Sequence, residues 1–244
     1  MIHKTRGIVL NHTRYGDSSA IVHVYTSMFG MQSYMANRVF GKRKKSNGLL
    51  LQPLNVLEME VYHHSNKEIH RIKEFRPVRP LLRIPYSQTR RAQAFLITEI
   101  LSRGLRGEGK NQYLFEFLDQ SVEFMDGDHS GMENYHIWFL FNLTRYLGLF
   151  PHNNFSDAYS RFDIKEGCFV SGEPSHPYFL DKEESGWLAS LFHIELGQLA
   201  DIAENITRRR QLLNSIVLFY EFHHQEIGKI RSLDVLKELF SGLV

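Results

Sequence analysis

Residues 40–48 read FGKRKKSNG and put four adjacent cations, Lys42, Arg43, Lys44 and Lys45, between two glycines. Side chains of this type in this spacing do not break bonds. They hold no nucleophile and no group that titrates near neutrality. They release counterions when they meet a phosphate backbone. Arg38 precedes the run. Lys4, Arg6 and Arg14 lie on the stretch that opens the chain, and Arg71, Lys73, Arg76 and Arg79 lie further on. Tyr15, Tyr25, Tyr34 and Phe40 are interleaved with them as candidate stacking platforms. A cationic groove with aromatic side chains is how small barrels hold single strands. A solvated charge run is the plainer explanation for the four cations alone.

Other clusters carry less. TRRRQLL (207–213 with its second leucine) puts Arg208, Arg209 and Arg210 on a helical pattern whose apolar face is Leu212, Leu213, Ile216 and Val217. At least one arginine flanks that face and could catch an acidic peptide; a solvated turn is the alternative. Arg90 and Arg91 in QTRR carry the same ambiguity. The 13 histidines include the adjacent pairs His63-His64 and His223-His224. Neighbouring residues in a strand or helix point apart and do not converge on one ion. DGDH (126–129) follows a helical pattern and precedes Ser-Gly, which reads as a turn. No P-loop, G-x-S-x-G or G-x-G-x-x-G occurs, so nothing nominates a nucleophile, a base or a cofactor cradle. No catalytic residue, no metal and no cofactor is expected.

The elements that position the cations follow from periodicity. GIVLNHT, AIVHVYT, MQSYMAN, the 49–63 stretch and EIHRIKEF (68–75) are β-branched or alternating. Five short strands in about 70 residues predict a small barrel or sandwich. Pro77, Pro80 and Pro85 end the pattern, and from Ser87 the period is helical. NYHIWFLFNLTRYLGLF is apolar almost all round and predicts a central buried helix. Residues 152–180 predict an irregular hairpin excursion, and helices resume after it. The expected domains are therefore 1–80 and 81–244.

The charge distribution supports two halves. Residues 1–80 hold 13 Lys and Arg against 5 Asp and Glu, a net of +8, and residues 81–244 hold 16 against 22, a net of −6. The basic half should attract polyanions and the acidic half should dock proteins. Hydrophobic content of 43% and charge of 23% belong to a globular chain. No apolar run is long enough for a membrane span, and no signal-peptide pattern opens the chain, so a cytoplasmic location is expected. A single cysteine, Cys168, excludes a disulfide framework or a Cys-rich zinc site.

RGIVLNHTRYGDSSAIVHVYT, SMFGMQSYMANRVFGKRKK and LLLQPLNVLEMEVY together resemble the opening of the RecO recombination-mediator family of bacterial DNA repair. YLGLFPHN, RFDIKEGCF and YEFHHQEIGKIRSLDVLKEL resemble its later segments, in the right order. The resemblance implies an α+β chain: a five-stranded OB-fold barrel followed by an all-helical domain with a small insertion. Many relatives carry four cysteines in that insertion as a zinc ribbon. Here Cys168 falls where the family pattern has a second glycine and Ser171 stands near a cysteine position, so no zinc is expected and packing must hold what remains of the ribbon. The resemblance further implies binding of single- and double-stranded DNA, annealing of complementary strands, and help in loading RecA onto DNA coated with single-strand DNA-binding protein. The implied partners are RecR and the acidic C-terminal tail of that coating protein. The family's DNA-contacting loop falls on Arg38, Lys42, Arg43, Lys44 and Lys45, with Arg14 and Arg6 beside it. Arg90, Arg91 and Arg208 to Arg210 are partner-binding candidates by charge. Two alternatives are an RNA-binding OB-fold protein and a metal-dependent hydrolase using DGDH or a histidine pair.

Overall fold

The computed structural model describes residues 1–40, 47–64 and 66–241, without the side chains of the last three. Its contacts divide the chain into two compact units, Met1–Gly127 and Asp128–Val244.

The first unit is built on a closed barrel of β1 (Ile2–Tyr15), β2 (Ser19–Thr26), β3 (Gly30–Ala36), β4 (Val56–Tyr62) and β5 (Ile69–Pro77), in the order β1-β2-β3-β5-β4. Only β3 and β5 run parallel. β1 is long enough to serve two neighbours: its first half pairs with β4 and its second half with β2. A bulge at Leu10 bends it between the two tasks. Around the bulge the Val9 N–H donates to the Asn55 carbonyl (2.9 Å) and the Val9 carbonyl accepts from Leu54 N–H (2.8 Å), so the disturbed ladder leaves neither group orphaned. Alternate residues turn inward to form the core of Val9, Val22, Val24, Tyr34, Leu57, Met59, Val61 and Ile72, closed at one mouth by Val39 and Leu51. Gly7 lies where a Cβ would overlap the Val24 and Met59 side chains.

Two helices complete this unit, α1 (Gln88–Gly104) and α2 (Gln112–Asp126). Ser87 and Asn111 cap them, their side-chain oxygens accepting from Arg90 N–H (3.3 Å) and Leu114 N–H (3.1 Å). They fasten to the barrel through Asn11 to Ser102 (2.9 Å), the Tyr25–Phe115 ring stack (6.5 Å) and ion pairs to Asp119. Those contacts are why the compact unit extends past the prolines to Gly127.

The second unit centres on α3 (Tyr135–Tyr146), of which Ile137, Phe139, Leu140, Phe141 and Leu143 are buried. It packs against α5 (Ile206–His223), where the buried Tyr220 hydroxyl donates to the Leu140 carbonyl at 2.7 Å. His136 is fully buried, and burial pushes its imidazole down to about 3, so it is neutral. Between these helices lies the hairpin of β6 (Arg161–Asp163) and β7 (Cys168–Val170), followed by α4 (Lys182–Ser190). Phe162 and Phe169 meet at 5.0 Å, and Phe155 packs edge-on against Phe169 at 5.2 Å. Asn154 clamps β7 by accepting from Phe169 N–H (2.9 Å) and donating to its carbonyl (2.8 Å). Aromatic packing thus holds the small insertion, which has one cysteine and no cysteine pair. A last helix, α6, spans Ser232–Ser241. No described helix is long and apolar enough to cross a membrane.

Candidate nucleic-acid interface

The segment carrying Lys42 to Lys45 lies outside the described residues, but both of its anchors are described. The Ser18 carbonyl, in the β1–β2 turn, accepts from Val39 N–H (2.8 Å) and Phe40 N–H (3.0 Å). On the return, Gly48 N–H donates to the Val39 carbonyl (3.0 Å). Gly48 is required there because a Cβ would meet the Phe40 ring. The chain therefore leaves and rejoins the barrel at one mouth.

That mouth gathers the right side chains. The Arg14 guanidinium lies 5.1 Å from the centre of the Phe40 ring and donates to the Asp17 backbone carbonyl at 3.0 Å. The His12 ring stands 6.0 Å from the same ring, its Nδ1 bonded to the Leu51 carbonyl (2.9 Å). Tyr15, 58% exposed, follows at the end of β1. Arg38 is exposed and sits at φ 58°, the left-handed region that costs a non-glycine residue about 1 kcal/mol. Among the described residues no carboxylate forms an ion pair with Arg14 or Arg38. Two unneutralised cations, one exposed tyrosine and one partly buried phenylalanine can bind phosphates and stack bases.

The other expected platforms are not platforms. Tyr25 and Tyr34 have no exposed surface and belong to the interior. Burial pushes both phenols upward. Several expected cations are also spoken for. Arg6 pairs with Asp119 at 2.7 Å, and Arg79 donates to the other oxygen of the same carboxylate at 2.9 Å. Lys73 donates to Glu60 at 2.7 Å, with Lys4 at 3.6 Å from the same group, and Arg76 Nε donates to Glu58 at 2.7 Å. The Lys73 hydrogen bond holds the Glu60 carboxyl below its ordinary range. The register explains two of these pairs, since Glu58 faces Arg76 on β5 and Glu60 faces Lys4 on β1.

Residues 1–81 match the family model described as "Recombination protein O N terminal", and residues 88–234 match "Recombination protein O C terminal". The chain belongs to the RecO family. The chain is 34% identical to a DNA repair protein RecO from Bacteroides fragilis over 98% of this chain and 100% of that one. It is 32% identical to the RecO proteins of Phocaeicola vulgatus (99% and 100%) and Porphyromonas gingivalis (98% and 100%). Its function is that of a RecO-type mediator of DNA repair and recombination, and such a mediator is not an enzyme.

Within this RecO chain the remaining arginine candidates diverge. Arg90 donates to the Met125 (2.8 Å) and Gly127 (2.7 Å) carbonyls and so closes the end of α2. Arg91 is exposed. On α5, Arg208 lies 5.0 Å over the Trp187 ring, Arg209 Nε donates to Asn134 at 2.7 Å, and Arg210 reaches the Lys237 carbonyl at 3.4 Å. Three consecutive helical residues point in three directions, so they do not form one cationic surface. DGDH is likewise structural: the Asp126 carboxylate accepts from the N–H groups of Leu82 (2.6 Å), Arg83 (2.8 Å) and Ile84 (2.8 Å). Among the described residues no group of histidine, cysteine, aspartate and glutamate is arranged to hold a metal.

Proposed function

We propose that the barrel of this RecO-family chain grips single- and double-stranded DNA at the Arg14–Tyr15–Arg38–Phe40 mouth and through Lys42, Arg43, Lys44 and Lys45, which continue from it. Residues 1–80 act as the nucleic-acid-binding domain and residues 81–244 as the protein-docking domain. By neutralising phosphates the barrel lowers the repulsion between complementary strands and lets them anneal, without chemistry. The helical domain meets RecR and the acidic C-terminal tail of the single-strand DNA-binding protein, so that RecA is loaded onto coated DNA in the cytoplasm. Arg208, held over Trp187, and the exposed Arg91 are the cations most available to such a tail. Arg6 contributes least to DNA, because Asp119 already takes its charge.

The observation that carries this reading is the meeting of two carboxylate-free arginines with Tyr15 and Phe40 where the Lys-rich segment begins and ends. If about five phosphates are neutralised, log affinity for a single strand falls with log salt at a slope of roughly −3.5. Arg14 and Arg38 keep two contacts, so substituting Lys42, Arg43, Lys44 and Lys45 together by Ala should bring that slope to about −1.4 and weaken all sequences alike. An unchanged slope in the fourfold variant would place the site elsewhere.

A further inference from the structure

A second cationic surface lies on the barrel wall, away from the mouth. The parallel pairing of β3 with β5 sets Met35 beside Arg71, and the β4–β5 pairing sets Tyr62 on the other side of Arg71. With His64, Lys67 and Ile69 they line a groove of about 460 Å³. No aspartate or glutamate lines it, and among the described residues no carboxylate forms an ion pair with Lys67 or Arg71. Its floor is apolar and wet: Ile69 is 44% exposed, and Met35 and Tyr62 are half-buried. The wall behind is rigid. His70 is buried, its Nδ1 accepts from His64 N–H (3.4 Å), and its Nε2 therefore carries the proton donated to Gln32 Oε1 (2.9 Å). His63 packs against that ring at 4.1 Å with a 31° tilt and stacks on Phe29 at 3.9 Å.

Two exposed cations over a tyrosine and two aliphatic side chains suit a sugar–phosphate chain whose bases lie on the apolar floor. The register sets the distance to the mouth. Arg71 adjoins Met35, Met35 adjoins Ile21, and Ile21 adjoins Thr13, one residue before Arg14. Three strand spacings amount to roughly 14 Å. That exceeds the Debye length of about 8 Å at physiological salt, so two backbones held at the two places are screened from each other. Arg71 also projects from the wall, whereas Arg14 turns over the mouth onto Phe40.

We propose that this groove is a second single-strand site, so that one barrel holds two DNA strands at once, one at the mouth and one on the wall. The proposal rests on the DNA-binding reading given above and specifies where the second strand goes. It predicts that annealing depends on the groove while capture of a first strand does not.

The test uses the full-length chain, a labelled non-complementary oligonucleotide for capture, and a complementary pair for annealing. In K67E/R71E, affinity for the first oligonucleotide should stay within about threefold, while the annealing rate falls at least about tenfold. K67Q/R71Q removes the charge without reversing it and should show the same pattern, smaller in size. Both positions are exposed, so the thermal midpoint should not move. Wild-type annealing in either variant overturns the proposal. Equal losses of capture and annealing also overturn it, because they mean one continuous site. A wild-type chain that captures no oligonucleotide refutes the DNA-binding reading itself, a result distinct from both.

Discussion

Two surfaces of one barrel carry similar numbers of cations and put them to opposite uses. On the wall formed by the first half of β1, β4 and the second half of β5, Lys4, Lys73 and Arg76 lean on Glu58 and Glu60, and Arg6 and Arg79 share Asp119. Around the mouth and the β3–β5 groove, Arg14, Lys67 and Arg71 meet aromatic and apolar groups instead, and Arg38 is exposed. The first set knits strands and helices together. The second projects positive potential. What decides between binding and structure is therefore whether the fold brings a carboxylate beside the cation, and a count of lysines and arginines along the chain conceals it.

The largest effect should come from breaking the knitted side at its centre. Asp119 is mostly buried, with 17% side-chain exposure, and holds two guanidinium groups. Replacing it by Ala leaves both without their partner and should cost the first unit about 2 kcal/mol. Urea unfolding followed by a barrel-specific probe measures it, and DNA affinity in the folded state should rise slightly rather than fall. A smaller effect sharpens the contrast from the other direction. E58Q/E60Q keeps the shape of the wall and frees Lys4, Lys73 and Arg76. Affinity for a single strand at low salt should then rise by about threefold, with the gain disappearing as salt approaches 1 M, where the Debye length is near 3 Å. A loss of affinity would mean that the paired wall is itself part of the DNA site.

Much of this was legible in the sequence, for physical reasons that can be named. The strands show in their β-branched alternation and the helices in their period from Ser87 onward. Gly48, after the basic run, marks where the chain rejoins the barrel. Register was not legible. Glu58 and Glu60 read as the polar face of β4, but nothing local says that Arg76 stands opposite Glu58 or that Lys73 reaches Glu60 from the bulge in β5. The β3–β5 groove needs a parallel pairing between segments more than thirty residues apart, and local pattern carries no sign of it. Tyr25 and Tyr34 look as available as Tyr15 until the barrel closes and takes them inside. Arg208, Arg209 and Arg210 read as one patch because they are neighbours in the chain, yet a helix turns each by about 100°.

The central claim is that the unpaired cations, and not the paired ones, hold DNA. The direct measurement is the salt dependence of single-strand affinity for two double variants of equal charge loss, R14A/R38A and K73A/R76A. Losing two phosphate contacts should reduce the magnitude of the slope by about 1.4 in the first variant and leave the second close to wild type. If K73A/R76A flattens the slope as much as R14A/R38A does, or more, the account is contradicted.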